Sequence, residues 1–203
     1  MSAPIRTVCV YCASSERVAP EYRAVAAELG RALAAEGWGL VYGGGSAGLM
    51  GEVARAALAA GAHVTGVIPH RLADREFALH EVTELLRTDT MRQRKALMDE
   101  RSDAFIVLPG GIGTLEELVE IITLKQLGYH TRPIVVLDAR GYWDPLLEQL
   151  RRMVDERFSA DDLGDLWQVT ATVAETVAAL RSFTGEPLRL HDSSLEVIEG
   201  PRS

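Results

Sequence analysis

The sequence has few of the residues that bind metals, and it lacks apolar runs long enough to cross a membrane. It has two cysteines and five histidines among 203 residues, and none of them pairs at a spacing typical of metal ligands, so we predict no structural metal. No apolar run approaches the roughly 20 residues needed to cross a bilayer. The N-terminus has no charged, apolar and small-residue regions of a signal peptide. We therefore expect a cytoplasmic protein.

The two cysteines, Cys9 and Cys12, have the C-x-x-C spacing of a redox pair. Both lie in a segment typical of a strand, where a separation of three residues puts side chains on opposite faces, about 10 Å apart along the strand. A disulfide cannot bridge that distance. We interpret both as buried or half-buried thiols, because cysteine is often buried.

Positive charge is also scarce. The chain has 21 basic and 29 acidic residues, a formal net charge of −8, which argues against a nucleic-acid partner or an anionic membrane surface. A small anionic ligand stays compatible with this balance, because a pocket sets its own local field. We therefore expect a small-molecule ligand rather than a polyanion.

Short β-branched runs alternate with longer amphipathic stretches, a pattern that predicts strands alternating with helices. Several strands are apolar at every position, as expected when helices cover both faces of a parallel sheet. We predict one Rossmann-like, doubly wound α/β domain over residues 1–186, with a mostly parallel sheet of about six or seven strands, and a polar tail over residues 187–203. The predicted strands are 7–12, 39–42, 63–68, 82–87, 104–108, 133–137 and 167–170, and the helices are 22–36, 49–60, 91–101, 115–127, 142–158 and 173–183.

Two glycine-rich loops each follow a predicted strand and open a predicted helix. The first starts with Gly43, Gly44, Gly45 and Ser46, and the second runs from Pro109 to Thr114. Free backbone N–H groups and the positive end of a helix dipole favour a phosphate at such places. Close packing of a helix on a strand is the alternative reason for glycine. The first loop also matches G-x-G-x-x-G, but it follows the second strand and no acid comes about 20 residues later, so we do not expect NAD.

A basic helix start lies between the two loops. Thr90 and Gln93 predict a capping box that begins this helix, which places Arg94 in a first turn where the dipole disfavours cations. Arg94 shares a predicted face with Met91 and Met98. A guanidinium on an apolar stripe requires a carboxylate or phosphate partner. The sequence leaves open whether that partner is a structural salt bridge or a ligand.

The second loop ends with an acidic helix start. Thr114 and Glu117 match a second capping box, which would by itself explain an acid at that position. The alternative is functional, because a carboxylate beside a phosphate site can stabilise a sugar cation or orient a water, as in glycoside hydrolysis. Glu116 points about 100° around the helix and is the weaker candidate.

Three segments, 41–51, 91–95 and 109–117, together resemble the LONELY GUY family of cytokinin-activating phosphoribohydrolases. The second segment matches M-x-x-R-K, and the third matches the highly specific P-G-G-x-G-T-x-x-E. The likeness spans roughly residues 8 to 137. It implies hydrolysis of an N6-modified adenosine 5′-monophosphate to free base and ribose 5-phosphate, by a homodimer without a cofactor.

The resemblance also implies roles for individual residues. Arg94 and Glu117 match the catalytic pair. The residues that match substrate contacts are Gly43, Gly44, Gly45, Ser46, Glu76, Lys95, Gly111, Ile112, Gly113, Thr114, Leu115, Glu116 and Thr123. Arg94 is too basic for an ordinary general acid, so it binds the phosphate or polarises the leaving base.

Three other functions compete with this one. Members of the family are often labelled lysine decarboxylases, but that chemistry requires pyridoxal phosphate on a lysine. The only lysines are Lys95 and Lys125, and Lys125 lies well inside a predicted helix away from both loops, so we reject that function. A broader nucleosidase that prefers plain AMP, and a non-catalytic nucleotide-binding protein, stay as alternatives.

Overall fold

A computed structural model describes residues 4–73 and 77–185 as an α/β domain around a single seven-stranded sheet. Every strand pairing is parallel, which confirms the predicted fold class. The strands are β1 (Thr7–Tyr11), β2 (Gly39–Tyr42), β3 (Val64–Pro69), β4 (Glu84–Thr88), β5 (Ala104–Val107), β6 (Ile134–Leu137) and β7 (Gln168–Thr170). The helices are α1 (Pro20–Ala35), α2 (Gly48–Ala59), the short α3 (His70–Leu72), α4 (Met91–Glu100), α5 (Ile112–Gln126), α6 (Asp144–Asp155) and α7 (Val173–Arg181).

The strand order is β4-β3-β2-β1-β5-β6-β7. Successive strands are added first on one side of β1 and then on the other, so the strand order reverses beside β1. On one side Cys9 is in register with Val41 of β2, and on the other with Phe105 of β5. Ligands of open α/β sheets bind at the carboxyl ends of strands at such a reversal. Because the two glycine-rich loops follow β2 and β5, the topology sets them on either side of β1.

The core has two main layers, one on each face of the sheet. Val8 and Val10 point into one layer, and Cys9 and Tyr11 point into the other. Cys12 belongs to the layer opposite Cys9, and both thiols are buried and free, as predicted. Burying one large aliphatic side chain contributes about 1.5–3 kcal/mol, so these two layers dominate the stability of the fold.

Two helix starts test the predicted capping boxes. At α4, the Thr90 hydroxyl accepts from the Gln93 amide and the Gln93 side chain accepts from the Thr90 amide, each at 3.1 Å, which confirms the first box. The second box is wrong. The N-cap of α5 is Gly111, in an extended conformation without a side-chain cap, so Thr114 lies inside the first turn. Its side chain packs against Gly110 instead of capping, and the helix starts three residues before the predicted Leu115.

The predicted helix over residues 142–158 is shorter than expected. It begins at Asp144 and ends at Asp155, after a tight turn over residues 139–141. Arg140 and Gly141 have positive φ values of 64° and 69°, which a helix cannot contain. The predicted tail over residues 187–203 lies outside the described residues. Within the described part of the chain, no helix is both long and apolar enough to span a membrane.

Candidate active site

A cavity of about 540 Å³ lies at the carboxyl ends of the central strands. Its wall combines the loop after β1, the first glycine-rich loop with α2, the segment after β3, and the starts of α4 and α5. The residues that line it are Cys12, Ala13, Ser14, Gly43, Gly45, Ala47, Met50, Ile68, Leu72, Phe77, Arg94, Gly111, Ile112, Gly113, Thr114 and Glu117.

Arg94 and Glu117 meet at the floor of this cavity, as the sequence required of a buried guanidinium. Arg94 Nη1 lies 3.2 Å from Glu117 Oε1, and Arg94 Nε donates to the Val67 carbonyl at 3.1 Å. Both side chains are 10% exposed. Removing two charges from water costs solvation free energy, and their mutual attraction does not reliably offset that cost. A buried pair that borders a cavity is therefore a candidate functional site rather than a device for stability.

Burial also sets the protonation of the acid. Removal from water raises the pKa of Glu117 above the ordinary value of 4.5, while the positive charge of Arg94 opposes that rise. The neighbouring Glu116 raises the pKa further. Glu117 is therefore a carboxylate that is poorly solvated and held by one guanidinium, so it interacts strongly with a second positive charge.

The glycines of the first loop make room for other parts of the protein. A Cβ atom on Gly43 would lie 1.9 Å from Arg94 Nη2, and one on Gly45 would lie 2.5 Å from the Met50 methyl group. Gly44 has a φ of +73°, and its Cβ would meet Ile68 at 2.9 Å. Packing, which the sequence left as the alternative, accounts for the small size of these residues, and Gly43 makes room for Arg94. Gly43 and Gly45 also line the cavity.

In the second loop, Gly110 makes room for the Thr114 side chain, whereas Gly111 and Gly113 have open space beside them. Gly111 and Gly113 line the cavity, neither has a positive φ, and no described atom lies within 4 Å of a Cβ built on either. The first bond inside α5 runs from the Leu115 amide to the Gly111 carbonyl, at 3.0 Å. The amides before Leu115 therefore have no partner within the helix. Open space beside such amides at a helix N-terminus fits an anion that approaches the backbone closely.

The predicted site residues fall into two groups. Arg94 and Glu117 share the cavity with most of the second loop and part of the first. This group comprises Arg94, Glu117, Gly43, Gly45, Gly111, Ile112, Gly113 and Thr114. Gly44 and Ser46 lie behind the cavity wall, where the Ser46 amide donates to the Phe77 carbonyl at 2.8 Å. Glu76 lies outside the described residues.

The remaining predicted contacts lie on another side of α4 and α5. Lys95 forms ion pairs with Glu116 and, at 2.8 Å, with Glu120. Lys95 and Glu120 border a second cavity of about 300 Å³, which also reaches Glu117. Leu115 and Thr123 line neither cavity, and the Thr123 hydroxyl donates to the Val119 carbonyl at 2.7 Å.

Sequence reasoning missed part of the wall. Ser14 and its neighbours after β1 line the cavity, and the topology rule for doubly wound sheets would have found them, because β1 always borders the reversal. Leu72 and Phe77 form an apolar side that no motif marks. The apolar stripe on α4 is also less complete than predicted, since Met91 is 47% exposed while Arg94 and Met98 are buried.

The chain is similar in sequence to known phosphoribohydrolases. A family model described as possible lysine decarboxylase matches residues 50–180. The cytokinin riboside 5′-monophosphate phosphoribohydrolase LOG of Oryza sativa subsp. japonica is 44% identical over 181 residues, which cover 89% of this chain and 75% of that protein. The cytokinin riboside 5′-monophosphate phosphoribohydrolase of Mycobacterium tuberculosis is 52% identical over 149 residues, 73% of this chain and 79% of that protein.

Solved structures share the fold at lower identity. The molybdenum cofactor carrier protein of Chlamydomonas reinhardtii has a TM-score of 0.67 at 24% identity, over 87% of this chain and 96% of that one. The molybdenum cofactor binding protein of Rippkaea orientalis has a TM-score of 0.68 at 20% identity, over 89% and 98%. These likenesses concern the fold alone. With the family model and the sequence relatives, the motifs around Arg94 and Glu117 identify the chain as a member of the LONELY GUY (LOG) family of phosphoribohydrolases.

Proposed function

We propose that the protein hydrolyses the N-glycosidic bond of N6-modified adenosine 5′-monophosphates to give the free base and ribose 5-phosphate. The observation that carries the proposal is one cavity shared by the buried Arg94 and Glu117 pair and by two glycines, Gly111 and Gly113, that leave open space at a helix N-terminus. The names of the relatives describe the same reaction class.

The geometry supports separate roles for the second glycine-rich loop and for the Arg94 and Glu117 pair. The N-terminus of α5 holds the 5′-phosphate through backbone amides. The bond between C1′ and the base breaks with its electron pair moving to the base, the oxygen of a water bonds to C1′, and one proton of that water ends on the base. Positive charge develops on the ribose during this step, so the Glu117 carboxylate stabilises the transition state more than the bound substrate.

Arg94 acts as a permanent cation. Its guanidinium stays protonated in proteins, and its Nε and Nη1 groups are committed to the Val67 carbonyl and to Glu117. The remaining N–H groups are available for the phosphate or the leaving base. Holding Glu117 in place is part of the same role, because the ion pair orients the carboxylate toward the cavity.

We test this by incubating the protein with AMP and with N6-isopentenyl-AMP and measuring free base by chromatography. Glu117→Gln keeps the shape of the side chain and removes its charge, so we expect base release to fall on the order of 100- to 1,000-fold. Glu148→Gln is the control, since Glu148 is exposed on α6 and pairs with Arg151. Release by Glu117→Gln at the wild-type rate would remove Glu117 from the mechanism.

The same assay separates the two substrate classes and the pH behaviour. Faster release from AMP than from N6-isopentenyl-AMP would favour the broader nucleosidase. Binding without release in the wild type would favour a nucleotide-binding protein. Because only the ionised acid stabilises the ribose cation, we expect kcat/KM to fall as the pH falls through the raised pKa of Glu117, above the ordinary 4.5.

We include a cytoplasmic homodimer in the proposal. Ile112 and Val119 lie seven residues apart on α5 and therefore on one face, and they are 83% and 44% exposed. Apolar side chains that line up on one exposed face of a helix support contact with a second copy. Lys95, Glu116 and Thr123 stay predicted substrate contacts within this proposal.

A further inference from the structure

A side-chain hydroxyl from outside the second glycine-rich loop binds the loop backbone. The Tyr142 hydroxyl donates to the Gly110 carbonyl at 2.6 Å. The neighbouring Pro109 carbonyl accepts from the Ala13 amide at 3.2 Å, and Gly110 itself packs against Thr114. Gly110 is buried, whereas Gly111 faces the cavity. The peptide bond between Gly110 and Gly111 therefore joins the buried part of the loop to the cavity wall.

The planarity of that peptide links Tyr142 to the cavity. In a trans peptide the carbonyl and the following N–H point in opposite directions. When Tyr142 holds the Gly110 carbonyl, the Gly111 N–H faces away from Tyr142. Glycine has low conformational barriers, so a Gly-Gly peptide turns over easily. Turning it over would replace a donor by a carbonyl oxygen, which repels a phosphate.

The turn that carries Tyr142 is built at a conformational cost. Arg140 has a φ of 64°, which costs about 1–2 kcal/mol for a residue with a side chain. Gly141 has a φ of +69°, and a Cβ there would lie 2.6 Å from Asp144 Oδ2. The Trp143 amide donates to Asp138 Oδ1 at 2.6 Å. These contacts hold the turn in a shape that keeps Tyr142 outside α6, which begins at Asp144.

Contacts with two aromatic side chains orient the Tyr142 ring. Its centroid lies 4.9 Å from that of Trp143 and 6.0 Å from that of Tyr22, both edge to face. Tyr142 does not line the cavity, and it is 42% exposed. A hydrogen bond from a partly exposed side chain contributes little to folding, because water replaces the partner at small cost. Its bond to Gly110 is therefore better explained by the loop than by stability.

We propose that Tyr142 is a positioning residue that locks the peptide between Gly110 and Gly111, so that the Gly111 amide is presented to the 5′-phosphate of the nucleotide. The inference rests on the proposed function only in the identity of the anion. It assigns to the turn after β6 a part in phosphate recognition that none of the sequence motifs indicates.

The test is Tyr142→Phe, which keeps the ring contacts and removes the hydroxyl. Titration calorimetry measures binding of ribose 5-phosphate, AMP and adenosine, with Tyr129→Phe as the control because Tyr129 is 75% exposed and does not line the cavity. We expect affinity for the two phosphate-bearing ligands to fall about five- to tenfold. Affinity for adenosine and the Tm of the protein stay at the wild-type values.

Each other result overturns the inference. Equal losses for AMP and adenosine, a lower Tm that accompanies the loss, or unchanged binding of ribose 5-phosphate would each contradict a positioning role. A wild type that does not bind ribose 5-phosphate would contradict it too. Because ribose 5-phosphate is a product and its binding involves no turnover, a wild type that binds it but releases no base refutes the hydrolase proposal and leaves the role of Tyr142 standing.

Discussion

The two glycine-rich loops on either side of β1 are similar in sequence but differ in what lies beside the glycines that line the cavity. In the first loop, the space that a side chain would take is occupied by protein, with Arg94 beside Gly43 and Met50 beside Gly45. In the second loop, the space beside Gly111 and Gly113 is empty and belongs to the cavity. A run of glycines thus indicates that something approaches the backbone closely, and only the fold tells whether it is protein or ligand.

The two loops therefore contribute differently to the site. The first loop seats the guanidinium that holds Glu117, and the second loop leaves backbone amides open at the N-terminus of α5. The last glycine of the G-x-G-x-x-G match, which extends from the first loop into the start of α2, also packs against protein. Gly48 of that match has a φ of +58°, and a Cβ on it would lie 2.6 Å from the carbonyl carbon of Ser14. Its glycine serves packing against the loop after β1.

The largest effect is expected from Gly43→Ala. The added methyl group would lie 1.9 Å from Arg94 Nη2 and would push the guanidinium away from Glu117. We expect kcat/KM to fall on the order of 100-fold or more and the free energy of unfolding to fall by about 1–3 kcal/mol, because the site is already filled. Gly164→Ala is the control, since no described atom lies within 4 Å of a Cβ there. Wild-type activity in Gly43→Ala would contradict the seating role.

A smaller effect of opposite character is expected from Gly113→Ala. Gly113 is the second residue of α5 and has open space around it, so alanine stabilises the fold by about 0.4–1 kcal/mol. The same methyl group narrows the cavity beside the proposed phosphate position, and we expect kcat/KM to fall about tenfold. Thermal melts and steady-state kinetics measure the two quantities. A variant that is more stable and less active supports the comparison, and one that loses stability shows that packing explains this glycine as well.

The smallest effect concerns the far end of α5. His130 Nε2 lies 3.0 Å from the Ile121 carbonyl, and Nδ1 accepts from the Arg132 amide at 3.2 Å, so both ring nitrogens are occupied in the neutral form. Burial, with Arg132 nearby, lowers the pKa of His130 from 6.5 to about 4. The folded state therefore binds this proton less readily than the unfolded chain.

This difference in proton binding sets how the free energy of unfolding changes with pH. Stability from neutral His130 is complete above pH 6.5 and is lost as the pH falls toward 4, about 1 kcal/mol between pH 7 and pH 5 after allowance for solvent. Denaturant melts at both pH values measure it in the wild type, in His130→Gln and in the exposed control His80→Gln. His130→Gln should lose less stability on acidification than the wild type.

Local sequence predicted much of the fold correctly. Strand β2 has the predicted ends, and the Thr90 and Gln93 box starts α4 where expected, because both depend on neighbours in the chain. The errors fall where a distant contact competes. Thr114 packs on Gly110 and leaves the cap to Gly111, and Tyr142 reaches Gly110 from a turn instead of extending α6. A residue with two possible partners cannot be assigned from its local pattern alone.

The sequence by itself determined the parallel sheet, the two loops and the need of Arg94 for an anionic partner, since apolar periodicity, glycine spacing and a charge on a buried helix face are local properties. Only the tertiary structure decided that Glu117 is that partner, that Lys95 turns to Glu116 and Glu120, and which loop keeps its space open. The physical reason is that these outcomes depend on distances between side chains from separate strands and helices, which exist only once the sheet is assembled.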